Sequence, residues 1–154
     1  MTEPFALQPL MKLAQHQNDS ATRKLGQLNK QQQSAQEKLE TLQQYRKDYQ
    51  TRLQEATQSG INQADLRNFQ QFIGKIDEAI GQQLRQVEQS KISTQTGRNE
   101  FDATRRKLKS FDTLQQRHIE EQKKAAERSE QKTLDEHTGR MAAYKMKQIQ
   151  DPDI

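Results

Sequence analysis

Apolar and polar positions along the first third of the chain follow a strict four-and-three spacing. Positions 7, 11, 14, 18, 21, 25, 28, 32, 35, 39, 42, 46, 49, 53 and 56 mark it, and twelve of these fifteen are apolar or aromatic. They are Leu7, Met11, Ala14, Ala21, Leu25, Leu28, Ala35, Leu39, Leu42, Tyr49, Leu53 and Ala56; Asn18, Gln32 and Arg46 are the exceptions. Almost every residue between them is polar. A repeat of 3.5 residues held over this length predicts a helix with one narrow apolar seam, the pattern of a left-handed coiled coil. Asn18 at a seam position is either a register-fixing residue or part of a frayed end.

The pattern breaks at Gln58-Ser59-Gly60-Ile61-Asn62. Gly60 can take the left-handed conformation that closes a helix. Asn62 can cap the next one, with Asp65 three residues on, at the positive end of the dipole. So short a gap predicts antiparallel neighbours. The second apolar series is Leu66, Phe69, Phe72, Ile73, Ile76, Ile80, Leu84 and Val87, then more loosely Ile92, Phe101, Leu108, Phe111, Leu114 and Ile119. The four-and-four step from Ile76 through Ile80 to Leu84 reads as a local stutter. Gly74, Gly81 and Gly97 each cost a helix about 1 kcal/mol against Ala, so this helix is expected to depend on its neighbour.

These elements predict an all-α fold: a long two-helix antiparallel coiled-coil hairpin with an overhanging C-terminal helix. We expect a single coiled-coil domain over residues 1–154, with helix 1 at about 5–57, the turn at 58–62, helix 2 at about 63–147 and a disordered tail at 148–154. The helices would measure ~75 Å and ~125 Å. Residues 7 and 113 should face each other, leaving everything after about residue 116 without an intramolecular partner. The same seam could also pair between chains.

Composition agrees with a seam and not a globule. Only 30% of the 154 residues are hydrophobic and Trp is absent, too little apolar surface to offset the ordering of a compact core. Prolines occur only at positions 4, 9 and 152, so nothing interrupts the helical span. The 25 basic and 21 acidic residues are interspersed, leaving no concentrated footprint for nucleic acid. Without cysteine there is no disulfide framework and no Cys-ligated metal. The N-terminal residues lack a basic and apolar leader pattern, and no stretch reaches the ~18–20 apolar residues of a membrane span, which points to a cytoplasmic protein.

For chemistry the sequence is nearly silent. It holds no nucleotide-binding glycine motif and no paired-histidine metal motif. His118 with Glu121, and His137 near Asp135 and Glu136, read as solvated helix faces. The basic run Arg105-Arg106-Lys107 with Lys109 reads the same way, or as a contact for an acidic partner surface or a phosphate backbone. We expect no enzyme activity, no cofactor, no metal and no small-molecule substrate. The aromatics carry more. Tyr45 falls off the heptad, and the adjacent Phe72 and Ile73 cannot both occupy a narrow seam, so one must be partly exposed. Tyr45, Tyr49, Phe69 and Phe72 near the turn therefore form either a thick plug or a binding hot spot.

On these residues the chain resembles the FliJ family, the small soluble components of the bacterial flagellar type III export apparatus. The resemblance is carried by the Leu7 to Leu13 opening, by Tyr45, Tyr49 and Leu53 at four-residue steps, by Gly60-Ile61 at the turn, and by Phe69-Gln70-Gln71-Phe72-Ile73. It implies a non-enzymatic stalk or adaptor serving flagellum biogenesis and hence motility and chemotaxis. Its implied partners are the hexameric export ATPase, whose ring it would help assemble, the cytoplasmic domain of the membrane export gate FlhA, and export chaperones. It would sit in the cytoplasm, held peripherally at the inner membrane through protein contacts. The gate-contacting patch implied by the resemblance is Leu42, Tyr45, Tyr49, Phe72, Ile76 and Ala79. Lys38 and Gln83 depart from the family pattern, which has Gln and His there. The alternatives are the equivalent stalk of a virulence secretion system and a basic coiled coil that binds nucleic acid.

Overall fold

The computed structural model describes residues 3–150, and helix accounts for nearly all of them. Helix α1 spans Gln8–Ser59 and α2 spans Gln63–Gln150, 52 and 88 residues long. Pro9 lies in the first turn of α1, where its missing N–H has no intrahelical partner to lose. Residues 3–7 precede the helix, so α1 starts three residues later than the pattern predicted. The expected tail from residue 148 is helical to Gln150; residues 151–154 lie outside the described residues.

The turn forms as its residue types require. Gly60 has φ +87°, the left-handed conformation that a side chain resists, and its N–H donates to Thr57 O at 3.3 Å. Asn62 Oδ1 accepts from Asp65 N–H at 2.8 Å, capping α2.

Packing divides the chain into two compact units, Gln15–Arg106 and Met1–Ala14 with Lys107–Ile154. In Gln15–Arg106 the two helices run antiparallel. All heptad positions of α1 in this unit are shielded, with Leu39 buried, and no other α1 residue of the unit is. Even Asn18, Gln32 and Arg46 are half-buried, so the four-and-three spacing, not hydrophobicity residue by residue, defines the packed face.

The α2 face corrects the sequence reading. Its shielded positions run 66, 69, 73, 76, 80, 83, 87, 90, 94, 97, 101 and 104 without a break in phase, flanked by Ala79 and Gly81. There is no stutter. Gln83 occupies the seam where Leu84 was expected, and Leu84 and Ile92 are 49% and 61% exposed. Small and polar residues fill the next slots: Ser90, Thr94 and Gly97. Thr94 is buried at no cost in unmet hydrogen bonds, since its hydroxyl lies 2.8 Å from Ser90 O and 3.3 Å from Leu28 O.

The helices come close here. A Cβ added at Gly97 would lie 2.5 Å from Leu28 Cδ1, whereas one at Gly74 would meet nothing within 4 Å. Gly97→Val is therefore expected to destabilise the fold by about 1–3 kcal/mol through overpacking. Gly74→Ala should stabilise it by up to about 1 kcal/mol through helix propensity alone. Urea denaturation followed by circular dichroism distinguishes the two signs.

In the second unit the start of the chain lies against α2. The Phe5 and His118 rings are 5.6 Å apart, and Gln115 Nε2 donates to Gln8 Oε1 at 3.3 Å. Glu3 O accepts from Gln122 Nε2 and also from His118 Nε2 at 3.1 Å; because a carbonyl can only accept, that ring nitrogen carries the proton. Pairing thus extends to Gln122, past the predicted limit of about 116, because residues 3–7 add contacts before α1 begins. Leu114 and Ile119, expected in the seam, are exposed. Beyond Gln122 every described residue of α2 is exposed, including Leu134, Met141, Tyr144, Met146 and Ile149.

Candidate partner-binding site

The six residues of the implied patch all lie in the unit Gln15–Arg106, close to the turn. Heptad phase sorts them. Tyr49 is a seam residue of α1 and is half-buried; Phe72 precedes the seam residue Ile73 and stands on the flank, 44% exposed. Their rings stack with centroids 4.3 Å apart and planes 26° from parallel. Phe69 closes on Tyr49 edge-on at 6.1 Å. Stacking holds Phe72 in place on the surface, so little side-chain entropy remains to be lost on binding.

Tyr45, one turn away on α1, is 57% exposed. Leu42 and Ala79 are half-buried and share a shallow groove with Gln83, whose amide donates to Ala35 O at 2.8 Å. Lys38, Leu42 and Gln83 also line one hollow, so the two positions that depart from the family pattern are neighbours. Ile76 differs from expectation. It is 7% exposed, because it falls on the α2 seam phase, and it offers no surface for a partner. The surface patch is therefore Tyr45, Tyr49 and Phe72, with Leu42 and Ala79 at its edge.

One ion pair lies beside it. Arg46 Nε donates to Asp77 Oδ1, Arg46 Nη2 to Asp77 Oδ2 at 3.5 Å and Arg46 Nη1 to Gln50 Oε1 at 3.1 Å. The hydrogen bond and charge of Asp77 raise the Arg46 pKa above its ordinary value, so the guanidinium stays charged throughout the working pH range. The Arg52 guanidinium lies 5.6 Å from the Tyr49 ring centre.

Next to the patch, at the turn, is a cleft of about 570 Å³ whose lining includes Tyr49, Gly60, Ile61, Asn68, Phe69 and Phe72. Of its lining, Asn68 had no signal in the sequence, whereas Ile61 was marked by its place in the turn. The seam position of Gln83, seven residues on from Ile76, is masked in the sequence by its polarity and by the neighbouring Leu84. The site has an apolar centre with the Arg46–Asp77 ion pair on its flank, the make-up of a binding surface. Among the described residues no group of three His, Cys, Asp or Glu is placed to hold a metal ion. No helix of the described residues is long and apolar enough to cross a membrane.

A family model described as the flagellar FliJ protein matches residues 3–147. The chain belongs to the flagellar FliJ family. Among curated relatives, the flagellar FliJ protein of Escherichia coli K12 is 32% identical over 145 residues, covering 94% of this chain and 99% of the relative. That of Salmonella typhi is 31% identical over the same share of both. Among solved structures, one described as a homologue of YscO, CT670 of Chlamydia trachomatis, superposes with a TM-score of 0.66 at 17% identity, covering 95% of this chain and 98% of that one. At that identity the likeness is one of fold. FliJ membership covers both the aromatic patch and nearly all of the exposed end of α2.

Proposed function

We propose that this chain is a non-catalytic stalk and adaptor of flagellar type III protein export. The Tyr45, Tyr49 and Phe72 patch binds the cytoplasmic domain of the export gate FlhA. The exposed end of α2 engages the hexameric export ATPase and promotes its assembly, and the chain takes part in handling export chaperones. It works in the cytoplasm, recruited to the inner membrane at the flagellar base through its protein partners.

The observation that carries this reading is a stacked, surface-held aromatic pair in a chain that matches flagellar FliJ over residues 3–147. The 31–32% identity to flagellar relatives over 94% of the chain supports the flagellar machine over a virulence secretion system. Exposed aromatics that are already ordered are the residues from which binding hot spots are made.

Tyr45→Ala and Phe72→Ala are each expected to weaken binding to the FlhA cytoplasmic domain about tenfold, a loss of roughly 1.4 kcal/mol, with the helix signal unchanged. Ile76→Ala should lower stability instead, because that side chain is buried. Titration calorimetry beside circular dichroism reads both. Undiminished binding by the Tyr45 and Phe72 variants would overturn the assignment of the patch.

A further inference from the structure

The three polar residues in the α1 seam, Asn18, Gln32 and Arg46, are evenly spaced at fourteen residues, or two heptads. Two of them are hydrogen-bonded to a polar residue of α2. Asn18 Nδ2 donates to Thr104 Oγ1 at 3.1 Å, and Arg46 pairs with both oxygens of Asp77. The facing register is set by Asn18 with Thr104, Leu28 with Thr94 and Leu25 with Gly97, each pair of numbers adding to 122. By that register Gln32 lies opposite Ser90, and both are half-buried.

An apolar heptad seam alone does not define a register. Shifting one helix by seven residues returns apolar slots to apolar slots, so the shifted pairing loses little beyond its ends. The turn of Gly60 to Asn62 restrains such a shift within one chain but places no limit on pairing between chains. The polar rungs respond differently. A shift of one heptad sets Asn18 against Gly97, sets Gln32 against Gln83 and brings Gln70 to the place of Asp77, so Asn18 loses its hydrogen bond and Arg46 its ion pair. A one-heptad slip therefore breaks the Asn18 and Arg46 rungs together. Two copies of α1 side by side in parallel would set Arg46 against Arg46.

We propose that these three rungs are a register lock, which selects the observed pairing of α1 with α2 over slipped pairings and over pairing of α1 with a second copy. The lock holds by penalising alternatives: a half-buried polar group that loses its partner forfeits that hydrogen bond while still being partly shielded from water. It also fixes which α2 residues stand beside Tyr45 and Tyr49.

The chain has no cysteine, so introduced pairs report register cleanly. Lys24 Nζ and Glu100 Oε2 are 3.3 Å apart on the surface, and Lys24→Cys with Glu100→Cys marks the observed register. Lys24→Cys with Ser93→Cys marks a slip of one heptad. A short bis-maleimide is expected to bridge only the first pair in the native background. With Asn18→Leu, Gln32→Leu and Arg46→Leu combined, the lock predicts a rise of about tenfold or more in bridging of the second pair, or in bridging between chains with a larger species in sedimentation. Asn18→Leu alone should give a smaller change in the same direction. Bridging confined to the Lys24 and Glu100 positions in every variant, at unchanged sedimentation, would overturn the proposal. So would a drop in helicity of the triple variant, which would mean that the rungs hold the fold itself.

Discussion

A chain ended after Gln122 is expected to keep its helix pairing and its thermal midpoint, and to lose all stimulation of the export ATPase. The first half of this result follows from burial. The N-terminal residues contact α2 as far as Gln122 through Glu3 O, and every described residue beyond it is exposed. Removing exposed helix takes away no packed side chain, so the midpoint should move by no more than about 4 °C, the shift that one kcal/mol produces in a chain of this size. The ellipticity should fall only by the share of the deleted residues. The second half rests on the proposed function, which gives the exposed end of α2 the role of engaging the ATPase. Leu134, Met141 and Tyr144 are large apolar groups kept in water there, and such groups are available to a partner. Undiminished ATPase stimulation by the shortened chain would refute the role given to this end.

The second large effect separates two leucines that look alike in sequence. Leu39→Ala is expected to cost about 2–4 kcal/mol, as for other buried leucines truncated to alanine. Leu84→Ala should stay within about 0.5 kcal/mol, because its side chain is half in water already. Only four apolar residues among those described are buried (Ala14, Leu39, Ile76 and Val87), so losing Leu39 removes much of what the seam holds. Urea denaturation of the two variants measures the difference directly.

That contrast also shows how far the sequence could be read. The α1 face was fully legible, since apolar residues fill most of its slots and so reveal the phase that the polar ones share. The turn was legible because Gly60 and Asn62 each have a specific backbone task there. On α2 the reading failed in part from Gln83 onward, although Val87, Phe101, Leu108 and Phe111 are shielded as expected. Seam positions there hold Gln83, Ser90, Thr94 and Gly97, while Leu84 and Ile92 stand outside it. Two physical reasons account for this. Where helices approach closely, small residues pack better than large ones. An exposed leucine costs a helix little, so hydrophobicity and burial part company. Counting the heptad on from Ile73 and Ile76 would have recovered the face.

Of the site, the flank position of Phe72 followed from its being next to Ile73, and the exposure of Tyr45 from its position off the heptad. The burial of Ile76 followed from the same phase but was hidden by its membership of the implied patch. The stacking of Tyr49 on Phe72 was not legible, because it depends on the register between helices, which three polar rungs and not the apolar pattern define.

The most direct test of the account is the activity of the cognate flagellar export ATPase, titrated with the full-length chain and followed alongside by sedimentation. The account predicts a saturable rise in ATP hydrolysis, together with a shift of the ATPase to a ring-sized species that carries this chain. Unchanged hydrolysis with no co-sedimentation would contradict the stalk role.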